Sequence, residues 1–273
     1  MKKEVNIFTA AALLSVLMLM LSGATDGVIS QIIYGAAFLL PAYAGLVFEK
    51  RLSASEERQA GLYIGLRKDA AVLALPCIMP AVALVIGLSA LTSFIITSVT
   101  GAVDTVDVGD SFLVALLLHV LLPALFEEAL FRYLPLRLFG SRAPRLGLIL
   151  SAVYFALAHA SLFRIPYALA AGIILMGLDL LCDSVLPSVT LHFINNLCSL
   201  LWVFFSDSHG FTVGFYTALG VLTAVSVCFI VLWRGRYADA LKKALAEQDK
   251  WQATSVPLLY IIPTAFIAIS ELL

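Results

Sequence analysis

Glu127 and Glu128 stand side by side in an apolar run, Phe126-Glu127-Glu128-Ala129-Leu130-Phe131-Arg132, with an arginine four residues beyond the second acid. A carboxylate in hydrocarbon costs several kcal/mol, so a chain that keeps two there must supply partners, water or both. On a helix, Glu128 and Arg132 share a face and can pair, whereas Glu127 points about 100° away and stays available for chemistry. Two further polar pairs recur at the same spacing: Phe155 with His159, and His192 with Asn196. A carboxylate beside an imidazole can orient a water and take its proton. A second imidazole and a carboxamide can donate to the oxyanion that forms when that water attacks an amide carbonyl. The set therefore suits peptide-bond hydrolysis. Alternatively, Glu127, His159 and His192 could give a zinc ion three ligands and one open position for water. The HExxH signature is absent, however, and these residues come from three separate segments.

The segments that must position these groups are membrane-like. Apolar residues make up 62% of the chain and charged residues 13%, with a mean hydropathy of +1.01. Long apolar stretches run over 5 to 22, 28 to 48, 70 to 98, 111 to 135, 146 to 163, 166 to 182, 186 to 205 and 211 to 233. A span needs about 20 such residues, so the expected fold is an all-α polytopic bundle of about eight spans. A ninth candidate, 255 to 271, carries Pro257 and Pro263 and ends on Glu271, so it could instead lie in the interface. No repeat or soluble domain interrupts the chain; residues 1–273 read as one membrane domain whose catalytic helices fall in 110–205.

With the N-terminus placed in the cytoplasm, the inside segments collect fifteen of the seventeen Lys and Arg residues. Arg132 is then intramembrane and Arg164 alone is outside, while the loop around 99 to 110 is acidic through Asp104, Asp107 and Asp110. Lys2 and Lys3 ahead of an apolar run ending at Leu21-Ser22-Gly23-Ala24 admit a second reading as a cleaved signal. The net charge of −1 reflects the split between faces and gives no reason to invoke nucleic acid. Cys77, Cys182, Cys198 and Cys228 fall in apolar segments without CxxC or finger spacing, and read as free thiols.

The three polar pairs, in this order, resemble the EExxxR, FxxxH and HxxxN motifs of the CAAX protease and bacteriocin-processing (CPBP, or Abi) intramembrane proteases. Gly172, Gly177 and Ser184-Val185-Leu186-Pro187 extend the similarity across about residues 110 to 205. Each motif alone is weak; three in order on successive membrane helices are specific. The resemblance implies that Glu127 is the base, that His159 helps to position the water, and that His192 with Asn196 stabilises the oxyanion. Glu128, Arg132 and Phe155 would shape the site. The family has been described both as metalloproteases and as metal-free glutamate enzymes; the favoured expectation is no required cofactor. The implied substrate is a peptide or membrane protein, prenylated or a bacteriocin precursor, and the lack of extra domains suits a bacterial cell-membrane protein.

Blander readings apply to each residue taken singly. A lone buried histidine usually bonds to a neighbouring helix, and Asn195 is expected to face away from Asn196 and do the same. His119, about 12 Å along the axis from Glu127, suits a structural or pathway role. Asp179 and Asp183 close the sixth span, where carboxylates reach the interface. Two rival functions remain: a non-proteolytic immunity or chaperone scaffold with the same fold, and a small transporter, although no internal symmetry supports the latter.

Overall fold

A computed structural model describes residues 2–25, 27–55, 65, 68–102, 108, 109 and 111–246. These form nine helices and no strand. In chain order they are α1 (Lys2–Gly23), α2 (Gly27–Ser55), α3 (Lys68–Thr100), α4 (Phe112–Phe139), α5 (Pro144–Ala158), α6 (Ile165–Cys182), α7 (Leu186–Phe205), α8 (His209–Leu232) and α9 (Arg234–Ala244). Seven of them, α1 to α4 and α6 to α8, are long and apolar enough to cross a membrane. The protein is a polytopic helical bundle. The candidate ninth span at 255 to 271 and the acidic residues Asp104, Asp107 and Asp110 lie outside the described residues.

One expected span changes. The stretch 146 to 163 is a 15-residue helix, α5, that stops at Ala158. His159 takes the C-cap position and Ala160 turns the chain with φ +48°, in the left-handed region where most side chains are disfavoured. Eight apolar helices are therefore present as expected, but the fifth is a short one that ends inside the bundle.

The centre of the bundle is α4, against which α1, α2, α5, α6 and α7 all pack. It is not a uniform α-helix. Two π-helical stretches, Leu116–Leu121 and Ala129–Tyr133, each precede a proline, Pro123 and Pro135. Proline has no N–H to return to the carbonyl four residues earlier and its ring crowds that carbonyl; widening the preceding turn relieves the conflict. The two affected carbonyls belong to His119 and Phe131. Each receives a donor from another helix: the Asn196 side chain of α7 bonds to His119 O at 3.2 Å, and the Ser151 hydroxyl of α5 bonds to Phe131 O. Side chains of neighbouring helices thus satisfy backbone groups that no water could reach in lipid.

Close approach is set by small residues. A Cβ on Gly172 would lie 2.8 Å from the Cα of Ala152, so only glycine lets α6 rest directly on the backbone of α5. Phe8, Phe38, Phe131, Phe139, Tyr154 and Phe155 form the buried aromatic centre of the main core.

Candidate active site

The ring of Phe155 on α5 is the hub around which the polar groups gather. The Arg132 guanidinium carbon lies 4.2 Å above its centroid, the His159 ring centroid is 4.8 Å away and that of His192 is 5.9 Å away. Three helices, α4, α5 and α7, therefore bring their candidate residues together. Linear depth along 146 to 163 would have put His159 roughly 10 Å from the others; the early end of α5 removes that conflict.

The adjacent acids have separate environments. Glu128 is fully buried, its Oε1 accepting from His192 Nδ1 at 2.7 Å while its Oε2 faces Arg132 Nε at 3.3 Å. Arg132 is fully buried as well, held by that ion pair and by the Phe155 face. Glu127 keeps 8% exposure, and its Oε1 accepts from the Tyr34 hydroxyl of α2 at 2.7 Å. Its Oε2 takes no hydrogen bond from any described residue. Largely buried and bonded across to α2, Glu127 is turned into the bundle.

Hydrogen bonding fixes each imidazole. His159 Nδ1 sits 2.9 Å from Phe155 O, an acceptor, so Nδ1 carries the proton. This bond fills a carbonyl orphaned where α5 ends, since the backbone N–H of His159 turns to Ala156 O instead. Nε2 of the neutral ring is consequently left as an acceptor. His192 spends its Nδ1 proton on Glu128 and presents Nε2. Asn196, one turn further along α7, uses one amide hydrogen on His119 O and retains the other.

Asn195 differs from expectation: its Nδ2 bonds to the neighbouring Asn196 Oδ1 at 3.3 Å and orients that amide from within the same helix. Asp179 differs more. It has 0% exposure and accepts the Ser188 N–H at 2.9 Å, anchoring the first turn of α7 where helix N–H groups lack partners. The next helix begins three residues after the chain turns at Asp183, too soon for Asp179 to reach an interface. Asp183 itself occupies the left-handed C-cap of α6.

Tyr34, Ser151, Ser188 and the two prolines were missed in the sequence. The prolines were readable, because each stands inside the stretch 111 to 135 and deprives the carbonyl four residues earlier of its helical partner. Tyr34 gives no local signal.

Among the described residues, no group of three or more His, Cys, Asp or Glu side chains is arranged to hold a metal ion. The candidate set Glu127, His159 and His192 does not form one in this geometry.

Among protein-family models, residues 109–198 match the one described as Rce1-like, type II CAAX prenyl endopeptidase Rce1-like. This stretch of the chain is Rce1-like. The match starts just before α4 and ends within α7, so it contains all three motifs and agrees with the CPBP family resemblance they carry. No curated protein and no solved structure matches the chain. The description of the matched family names an endopeptidase, and the match covers about a third of the chain.

Proposed function

We propose that the protein is an intramembrane endopeptidase in which Glu127 activates water. The observation that carries this reading is the division between the adjacent acids. Glu128 is consumed by His192 and Arg132, while Glu127 has one oxygen that takes no hydrogen bond from any described residue, and His159 on the neighbouring α5 offers Nε2 as an acceptor. A water between Glu127 Oε2 and His159 Nε2 would give its proton to Glu127 as its oxygen attacks the substrate carbonyl.

The developing oxyanion would be met from α7. With both nitrogens protonated, His192 donates from Nδ1 to Glu128 and keeps Nε2–H for the oxyanion; the free Asn196 N–H adds a second donor. Glu128 and Arg132 hold the His192 ring in place. When the tetrahedral intermediate collapses, the C–N bond breaks and the proton held by Glu127 passes to the departing amine. The side chains carry every proton transfer.

The proposed substrate is the C-terminal region of a membrane-attached protein, a prenylated CAAX-type end by analogy with the description of the matched family, with a bacteriocin precursor as the second class. The distribution of Lys and Arg supports a cytoplasmic N-terminus, and the family resemblance favours a bacterial cell membrane as the setting. Comparison of membrane peptides from cells carrying the intact protein and cells carrying Glu127→Ala tests the reading. Fragments made only by the intact protein are expected, with processing reduced by at least about a hundredfold in the variant. Undiminished processing by Glu127→Ala would overturn it and favour the scaffold. A chelator arm in the same assay tests for a metal requirement.

A further inference from the structure

We propose that Tyr34, on a helix outside the Rce1-like segment, is a positioning residue for the base: its phenol fixes one oxygen of Glu127 and so aims the other at the water-binding gap beside His159. The inference rests on the assignment of Glu127 as base and extends the working site to α2.

Three observations converge on it. The Tyr34 O–H donates to Glu127 Oε1 at 2.7 Å, a short contact of the charge-assisted kind. The next residue is Gly35, where a Cβ would stand 3.2 Å from the Phe126 ring, so α2 can approach α4 closely at the level of the acid. The Tyr34 ring itself packs edge-on to Phe38 at 5.2 Å, and Phe38 in turn meets Phe131, so the phenol is carried by a braced ring. Phenylalanine would serve that packing equally well. The hydroxyl therefore has a use beyond filling space, and the Glu127 carboxylate is the group it reaches.

Without that donor, the carboxylate can rotate about its terminal bond and offer either oxygen to either side. Such freedom lowers the fraction of encounters in the reactive geometry and leaves the substrate-binding surface unaltered. The cost belongs in kcat rather than in KM.

The test compares wild type, Tyr34→Phe and Glu127→Ala in lipid vesicles, with an internally quenched farnesylated peptide ending in a CAAX sequence as probe. Tyr34→Phe is expected to stay folded, with kcat per folded molecule lower by about tenfold, the size of one hydrogen bond to a charged group, and KM within about twofold. Isotope-edited infrared spectra of labelled tyrosine supply a readout that needs no turnover. One strongly donating phenol, identified by its loss in Tyr34→Phe, should shift in Glu127→Ala.

Wild-type kcat in Tyr34→Phe, a loss confined to KM, or an unshifted phenol band in Glu127→Ala would overturn the inference. If Glu127→Ala is inactive and Tyr34→Phe is fully active, the positioning role alone fails. If Glu127→Ala cleaves like wild type, the glutamate-activated hydrolase reading fails and takes the catalytic part of this inference with it; if wild type leaves the probe intact, the prenylated substrate is ruled out, and the phenol band alone decides whether Tyr34 holds Glu127.

Discussion

The hairpin of α1 and α2 and the late helix α8 both lie outside residues 109–198, yet they are joined to that segment by different physics. The hairpin reaches in with polar groups. Tyr34 bonds to Glu127, Thr9 pairs with Tyr154 at 2.7 Å, Glu49 meets Arg137 at 2.9 Å while also accepting from Ser53, and Glu4 faces Arg142 at 3.8 Å. Helix α8 has no buried residue. It rests on α3 through apolar side chains and one long hydrogen bond, Thr223 to Met79 O at 3.5 Å, and on Trp202 of α7 through Phe215 and Tyr216. Lipid tails compete evenly with apolar side chains, so in a bilayer it is close packing and polar pairing that tie a helix to its neighbours. By that criterion the hairpin is tied to the Rce1-like segment and α8 is peripheral to it, although the family match stops short of both.

The largest effect expected from breaking this contrast is at Glu49. Its side chain is almost fully buried and Arg137 is largely so. Removing Glu49 takes from the largely buried Arg137 an ion-pair partner at hydrogen-bond distance, so Glu49→Ala should cost about 2–4 kcal/mol. A fall in the melting temperature of the detergent-solubilised protein checks it; a wild-type melting curve would mean that the pair is screened and does not hold the hairpin. Next comes Gly45. A Cβ there would stand 2.6 Å from a methyl of Leu134, which is itself fully buried. Gly45→Val should therefore press α2 away from α4 and cost about 1–3 kcal/mol. Since the same movement draws Tyr34 from Glu127, its loss of activity should exceed what the loss of folded protein accounts for, measured as turnover per folded molecule.

The sequence made the core legible and the hairpin almost opaque, and the reason is the range of the interactions. Glu128 with Arg132, Phe155 with His159, and His192 with Asn196 are all one-turn neighbours, so helical periodicity alone aligns each pair. The convergence of three such pairs on one site then follows from their chemistry, because isolated buried polar groups would be too costly. What periodicity cannot supply is the partner from a distant helix. Tyr34 is 93 residues from Glu127 and Thr9 is 145 residues from Tyr154, and tyrosine and threonine are common enough in spans that neither position invites notice. The early end of α5 was hidden for a different reason. Ala158 to Phe163 remains apolar enough to read as span, and only the turn at Ala160, with the ring of His159 capping its own helix, ends it. Asp179 was misread because composition near a span end suggests an interface, whereas the immediate start of α7 buries the carboxylate on the Ser188 N–H.

The smallest effects sharpen the contrast best, because they replace a single polar atom on each side of it. Thr9→Val keeps the volume in α1 and deletes the hydroxyl that meets Tyr154, both fully enclosed in the core. The phenol loses that partner in a place water does not reach, and about 1 kcal/mol of stability should go with it. Thr223→Val is the matching change in α8. There the hydroxyl's bond to a carbonyl is long, the helix is exposed along its whole length, and Met79 O lies on a neighbouring helix whose own ladder persists without it. The expected change is within about 0.5 kcal/mol. Equal losses from the two variants would show that hydrogen-bond number rather than burial governs attachment, and α8 would then have to be counted with the hairpin. A clear loss for Thr9→Val alone, with turnover per folded molecule unchanged, would place the hairpin's structural bonds apart from the Tyr34 bond proposed to aim the base.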